Sequence, residues 1–129
     1  MTVQRQRVGK VGEQIAAAHL AGLGWRIVDR NARTRYGEID IVAADGRALV
    51  FIEVKTLRRG GRAGPGRPLE AIGPRKRLQV RRLARAWLAE RPRSAGRQQG
   101  YELIRFDAIG IVVGAGDQVL ELEHVPGAF

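Results

Sequence analysis

Cysteine is absent from this 129-residue chain, so no disulfide framework, thiolate metal site or cysteine nucleophile can be built from it. No apolar run approaches the roughly eighteen residues of a membrane span. The opening segment Met1-Thr2-Val3-Gln4-Arg5-Gln6-Arg7 lacks the apolar stretch of a signal peptide, which leads to the expectation of a cytoplasmic protein. There is no internal repeat. Acids are in short supply: 13 Asp+Glu stand against 23 Lys+Arg, a net charge of +10. Such an excess concentrates a polyanion near the surface and steers its encounter. The length suits one domain, residues 1–129, around a single modest core.

Asp40, with Glu53-Val54-Lys55 downstream, is the most informative feature present. Two carboxylates and an ammonium can together hold a divalent cation beside a phosphodiester and prepare a water to attack it. Glu-x-Lys alone is a common accident, and its setting raises the signal. Two β-rich runs, Arg35 to Ala44 and Arg47 to Thr56, flank Asp45-Gly46, the signature of a hairpin with a two-residue type I′ loop. That loop would set Ala44 opposite Arg47, Phe51 opposite Asp40 and Glu53 opposite Glu38. One face would then carry Ile39, Ile41, Ala43, Val50, Ile52 and Val54, and belong in a core. The other would carry Glu38, Asp40, Val42, Leu49, Phe51, Glu53 and Lys55. Asp40 and Glu53 would be diagonal neighbours, roughly 7 to 8 Å apart at the backbone, a gap carboxylates can bridge through a cation. A half-solvated sheet face with a loose Glu53–Lys55 pair is the plainer alternative. Glu38 facing Glu53 favours a cation, because like charges opposite one another destabilise a ladder.

These residues resemble the core of the PD-(D/E)XK, or restriction-endonuclease-like, nucleases. Within that superfamily the chain is similar to the small bacterial YraN-like proteins, relatives by fold of archaeal Holliday-junction resolvases. The resemblance rests on Gly9-Lys10-Val11-Gly12-Glu13 with Ala16 and Ala17, Asn31-Ala32-Arg33, Arg35 to Asp40, Phe51 to Thr56, Lys76, and Arg105-Phe106-Asp107. It implies that Asp40 and Glu53 bind Mg²⁺ (or Mn²⁺), that Lys55 orients or deprotonates the attacking water, and that Glu13 completes the acidic cluster from the first helix. The chain departs from the family pattern in placing Leu57 between Thr56 and Arg58.

Around the hairpin, Val8 to Leu23 reads as a helix with Val11, Ile15, Ala18 and Gly22 on one side and Glu13 on the adjoining strip with Ala16, Ala17 and Leu20. Glu13 in the first turns could simply serve the helix dipole. Trp25 to Arg30 reads as the first strand. Leu57 to Pro74, rich in Arg, Gly and Pro, reads as a flexible basic loop that could contact phosphates. A second helix should run from about Arg75 to Arg91 and end at Pro92, burying Val80, Leu83, Ala84 and Trp87. Arg75, Arg81, Arg82 and Arg85 would gather on its opposite side, a solvated face or a phosphate contact; a membrane surface fits less well because the apolar side is needed for the core. Lys76, in the first turn where the dipole disfavours a cation, calls for a nearby acid or phosphate, unless it snorkels to water. Arg93 to Gly100 reads as a polar connection, and Tyr101 to Val113 and Gln118 to Val125 as closing strands. His19 and His124 read as isolated surface or edge residues.

The expected fold is α/β: a mixed central β-sheet of about five strands flanked by helices, restriction-endonuclease-like. The expected function is a Mg²⁺-dependent endonuclease acting on DNA, with branched or junction DNA favoured and Arg33, Arg75, Lys76, Arg81, Arg82 and Arg85 as nucleic-acid contacts. Junction cutting would favour a two-fold homodimer. The alternative is a non-catalytic nucleic-acid-binding domain that keeps the fold; against it, a pure binder has no need of acids beside phosphates.

Overall fold

The structure, a computed structural model, describes residues 3–59, 68–91 and 101–129. Its elements are α1 (Val3–Gly22), β1 (Arg26–Thr34), β2 (Gly37–Asp45), β3 (Ala48–Arg58), a 3₁₀ turn (Pro68–Ala71), α2 (Pro74–Glu90), β4 (Leu103–Val113), a second 3₁₀ turn (Ala115–Asp117) and β5 (Val119–Val125). The five strands form one sheet in the order β1-β2-β3-β4-β5. β3 and β4 are parallel and the other pairs antiparallel. A parallel pair requires a crossover, and α2 lies within it. The mixed sheet with a helix on either side is consistent with the restriction-endonuclease-like fold.

Local chemistry explains the element ends. α1 closes in a Schellman arrangement: Gly24 takes φ +87, its N–H donates to Ala21 O at 3.0 Å, and Trp25 N–H donates to Leu20 O at 3.1 Å. α2 begins with Pro74 beside an N-cap glycine, and at its far end Arg91, the residue before Pro92, turns extended. α1 begins five residues earlier than the apolar periodicity indicates. Its buried strip is Val8, Ala16, Ala17 and Leu20, with Val11 and Ile15 partly buried, rather than the line through Ala18 and Gly22, both of which are exposed. The strip expected to adjoin the core is therefore the core strip itself.

Two apolar layers sandwich the sheet. α1 packs with Ile41, Ala43, Val50, Ile52, Val54, Ile109 and Ile111. On the other face Leu83, Ala84 and Trp87 of α2 pack with Ala32, Ile39, Val42, Leu49 and Phe51. Residues Ala48 to Val54 are all buried, as expected of a central strand covered on both sides. The segment expected to be a loop from 57 to 74 is partly regular. Leu57 and Arg58 extend β3 against Val112 and Val113, and Arg58 is fixed by Asp117 Oδ1 at 2.5 Å and by Gly114 O at 3.0 Å. Leu69 and Pro68 of the 3₁₀ turn sit against Gly110. The remainder of that loop, residues 60–67, and the connection expected at Arg93 to Gly100 lie outside the described residues.

α1 meets β3 most closely at Gly12. A Cβ built there would lie 1.7 Å from Thr56 Oγ1 and 2.8 Å from Thr56 Cβ, so the Thr56 side chain fits against α1 only because Gly12 has no side chain. Gly12→Ala is expected to destabilise by about 1–3 kcal/mol, the usual range for overpacking, despite the better helix propensity of alanine. Denaturant unfolding checks this. A neutral or stabilising result would mean that α1 is free to shift along β3.

Candidate active site

The hairpin's strand pairing is displaced by two residues from the sequence expectation. Asp45 faces Ala48, Val42 faces Phe51 and Ile41 faces Ile52, so the turn residues are Gly46 and Arg47. Asp40 does not face Phe51, and Glu53 does not face Glu38. The cause is the turn: Gly46 alone has positive φ, +56, and occupies the first central position, as type II′ hairpins require, whereas type I′ needs positive φ at both. An even displacement preserves which side each β3 residue faces.

Beyond Ile41 and Ile52 the β2–β3 ladder ends, and the Asp40 side chain takes over the role of a backbone acceptor: Val54 N–H donates to Asp40 Oδ2 at 2.8 Å. Across β1–β2 the register places Asn31 opposite Asp40, between the pairs Arg30–Ile41 and Ala32–Ile39. Asn31 has φ +48, a left-handed conformation that asparagine tolerates better than most residues. Alternation breaks at this point. Ile39, expected to share the face of Ile41 and Ala43, instead joins the α2-side layer with Ala32. The opened end of the hairpin is thus where Asp40 meets groups from α1 and α2.

Glu13 arrives from α1 and hydrogen-bonds the side chains of both Asp40 and Asn31. It is the eleventh residue of that helix rather than part of a first turn, so the dipole explanation falls away. Its position next to Ala16, Ala17 and Leu20 carries it to the edge of the buried strip, where burial raises its pKa. Glu53 is buried, and Lys76 from the first turn of α2 reaches it, with Nζ 2.9 Å from Oε1. Lys76 therefore has an acid partner and does not simply snorkel. Lys55, next on the same side of β3, is exposed, and its charge acts on Glu53. Burial first, and the negative charge of Asp40 second, raise Glu53 to about 7; burial, then Glu13, raise Asp40 to about 6. Glu38 does not belong to this group. It is exposed and pairs with Arg33 at 3.0 Å.

As the side chains stand, Asp40 pairs with Glu13 and Glu53 with Lys76. Among the described residues no three His, Cys, Asp or Glu side chains converge to chelate one ion. The donor chemistry nonetheless fits a hard divalent cation: the donors are carboxylate oxygens, and burial first, then the neighbouring carboxylate, disfavour the ionised forms of Asp40 and Glu53, which a bound cation would favour.

The arginines of α2 lie as the sequence predicts: Arg75, Arg81, Arg82 and Arg85 are all exposed, on the side of the helix away from Val80, Leu83, Ala84 and Trp87. Arg82 lies over the Tyr36 ring at 3.9 Å, beside the β1–β2 turn, whereas Arg81 lies over Phe106 at 4.8 Å and donates to Phe129 O at 3.1 Å. Arg85 is exposed. Arg75 and Lys76 line an open cleft of about 840 Å³ with Gly73, Pro74 and Gln79, at the α2 N-terminus. That terminus has no side-chain cap and no acid in its first turn. Arg33 points away into solvent apart from its pairing with Glu38.

Sequence reasoning missed Asn31 as a site residue. The signal available was its chemistry, an asparagine amid a β-rich run, where a left-handed break is cheapest. His19 and His124, expected to be isolated, are in contact, with Nε2 of the first 3.3 Å from Nδ1 of the second.

The paired charges predict a pH dependence of stability in the absence of divalent cations. A carboxylate whose folded pKa is raised stabilises the fold fully below its unfolded pKa and loses that contribution as pH rises through the folded value. For Glu53 the loss falls between about pH 4.5 and 7. Asp29 and Asp107, with lowered values, contribute fully above the ordinary carboxylate range and do not offset it there. In EDTA, wild type is expected to lose about 1–3 kcal/mol more than Glu53→Gln between pH 5 and 8. Parallel calorimetric pH profiles for the two proteins would refute this.

A small mixed α/β domain with acids and lysines gathered at an opened hairpin is thus the class that fold and site define. The model of uncharacterised protein family UPF0102 matches residues 12–111. Similar proteins, each called a UPF0102 protein, occur in Syntrophotalea carbinolica (49% identical, covering 100% of this chain and 96% of the relative) and Acidothermus cellulolyticus (46%, covering 97% and 95%). Another, from Moorella thermoacetica, is 45% identical over the full length of both chains. The chain belongs to the UPF0102 family.

Proposed function

We propose that this protein is a metal-dependent endonuclease of the PD-(D/E)XK superfamily acting on DNA, with branched or junction DNA as the favoured substrate. The observation that carries the reading is that two contacting pairs, Glu13–Asp40 and Glu53–Lys76, lie close enough at the opened hairpin for Asp40 to act on Glu53, with Lys55 beside them. Burying mutually repelling carboxylates costs stability, and a fold without use for them would be better served by apolar side chains there.

Asp40 and Glu53, with Glu13, would hold Mg²⁺ or Mn²⁺. The ion would supply Lewis-acid charge to a phosphate oxygen and lower the pKa of a water. Asp40 is held for this by Val54 N–H, which fixes its Oδ2, and its side chain is also in contact with Glu13. Lys76 keeps Glu53 paired in the ligand-free protein and would have to release it to a cation, its ammonium turning to a substrate phosphate in the adjoining cleft. The uncapped α2 N-terminus and Arg75 reinforce that phosphate position. Lys55 orients the attacking water or takes its proton. Arg82 and Arg85 extend the basic surface along α2; Arg81, already engaged with Phe106 and Phe129, is less available.

Lys55→Met tests the division of roles. Cleavage should fall by about 10²–10⁴-fold, the ordinary contribution of a positioned acid or base, while Mn²⁺ affinity stays unchanged because an ammonium is not a ligand. Unaltered cleavage would remove Lys55 from the mechanism. A non-catalytic nucleic-acid-binding domain is the competing reading; it predicts small affinity changes only, and indifference to EDTA.

A further inference from the structure

His19, near the C-terminal end of α1, and His124, in β5, lie 105 positions apart in sequence, and their ring nitrogens Nε2 and Nδ1 are 3.3 Å apart. They are the only two histidines in a chain without cysteine. Any ligand that needs imidazole or thiolate has this one place to bind. Two imidazole nitrogens on a tetrahedral ion at about 2.0–2.1 Å are separated by about 3.3 Å, so the rings already stand at chelating distance.

The surroundings orient them. His124 Nε2 is 2.9 Å from Asp107 Oδ2. Asp107 is fully buried, and although burial alone would raise its pKa, hydrogen bonds from Arg105, His124 and Gly127 N–H hold it below the usual carboxylate range. An ionised carboxylate only accepts, so neutral His124 is assigned its proton on Nε2, leaving the Nδ1 lone pair aimed at His19. A carboxylate behind a ligating imidazole is the common outer support of transition-metal sites. Among the described residues no third His, Cys, Asp or Glu joins the pair, so the remaining coordination positions belong to solvent.

We propose that His19 and His124, backed by Asp107, form a second cation site, selective for borderline transition-metal ions such as Zn²⁺, Ni²⁺ or Cu²⁺, that ties α1 to β5. It is separate from the acid cluster: His19 lies six positions beyond Glu13 on α1, about 9 Å along the axis. The two sites differ in chemistry as well, imidazole nitrogen favouring transition ions and carboxylate oxygen Mg²⁺. The alternative occupant of the gap is a single shared proton in an N–H···N hydrogen bond.

Trp25 provides the readout, its ring 5.4 Å from that of His124, so a paramagnetic ion held there quenches its fluorescence. Tag-free full-length protein is titrated with Ni²⁺ in excess Mg²⁺, by tryptophan fluorescence and by calorimetry. The expected result is saturable binding of one ion, weakened at least tenfold in His19→Gln and in His124→Gln and unchanged in Asp40→Asn. Trp25→Phe should retain the heat of binding and lose most of the quenching. His19, partly exposed, is the variant least prone to misfold, and its melting temperature in EDTA verifies the fold. Absence of saturable binding, or binding that survives in His19→Gln, overturns the proposal and leaves the pair as a hydrogen bond. Neither outcome depends on nuclease activity.

Discussion

Replacing Asp40 with asparagine is expected to abolish metal-dependent cleavage, by about a thousandfold or more, while leaving nucleic-acid binding intact or tighter. The side chain has two engagements, Val54 N–H at 2.8 Å and Glu13. Asparagine retains an acceptor for the backbone donor, so the β2–β3 opening should persist. It removes the anion that a divalent cation requires, and a loss of several kcal/mol of charge stabilisation corresponds to that fall in rate. It also removes a negative charge from beside the phosphates, which is why affinity should hold or rise. Gel-shift and cleavage assays on the same preparation separate the two effects. Equal loss of binding and cleavage would mean that Asp40 serves the fold rather than the chemistry.

Asp107→Ala is expected to have the largest effect on stability, about 3–5 kcal/mol, the cost of breaking a buried ion pair by removing one partner. Asp107 accepts two hydrogen bonds from Arg105, at 2.9 and 3.1 Å, and one from Gly127 N–H at 3.0 Å, and it contacts His124. Alanine would leave Arg105 with Asp45 at 3.2 Å as its remaining acid partner and the Gly127 donor unsatisfied. A fall in melting temperature on the order of 15 °C would follow for a domain of this size. Calorimetry gives the answer, and a change under about 1 kcal/mol would show that Asp45 alone suffices for Arg105.

The parts of the fold legible in the sequence were those set by periodicity and by backbone chemistry. The β-rich runs on either side of Asp45-Gly46 assigned both strands, and the apolar spacing of Val80, Leu83, Ala84 and Trp87 with the following Pro92 assigned α2. The register was not legible, because Asp45-Gly46 is compatible with two turn placements, one with Gly46 as the second central residue and the observed one with Gly46 as the first. Glu13 was legible only through the family resemblance. Its neighbours on the helix are alanines, and nothing local says that a strand from elsewhere brings Asp40 to it. The same applies to His19 and His124, which meet because β5 returns beside the end of α1. Lys76 was an instructive intermediate case: a cation in a helix's first turn is unfavourable, and that local conflict pointed correctly to an acid nearby, though not to Glu53.

Cleavage itself is the most direct measurement of the central claim. Purified wild-type protein should be incubated with linear, single-stranded, flapped and four-way DNA in Mg²⁺, in Mn²⁺ and in EDTA. The nuclease reading predicts cuts in at least one substrate, strongest on branched DNA, that require the divalent ion and vanish in Asp40→Asn. Tight binding across the panel with no metal-dependent cut in any substrate would contradict it and favour a nucleic-acid-binding domain that has kept the acids without the chemistry.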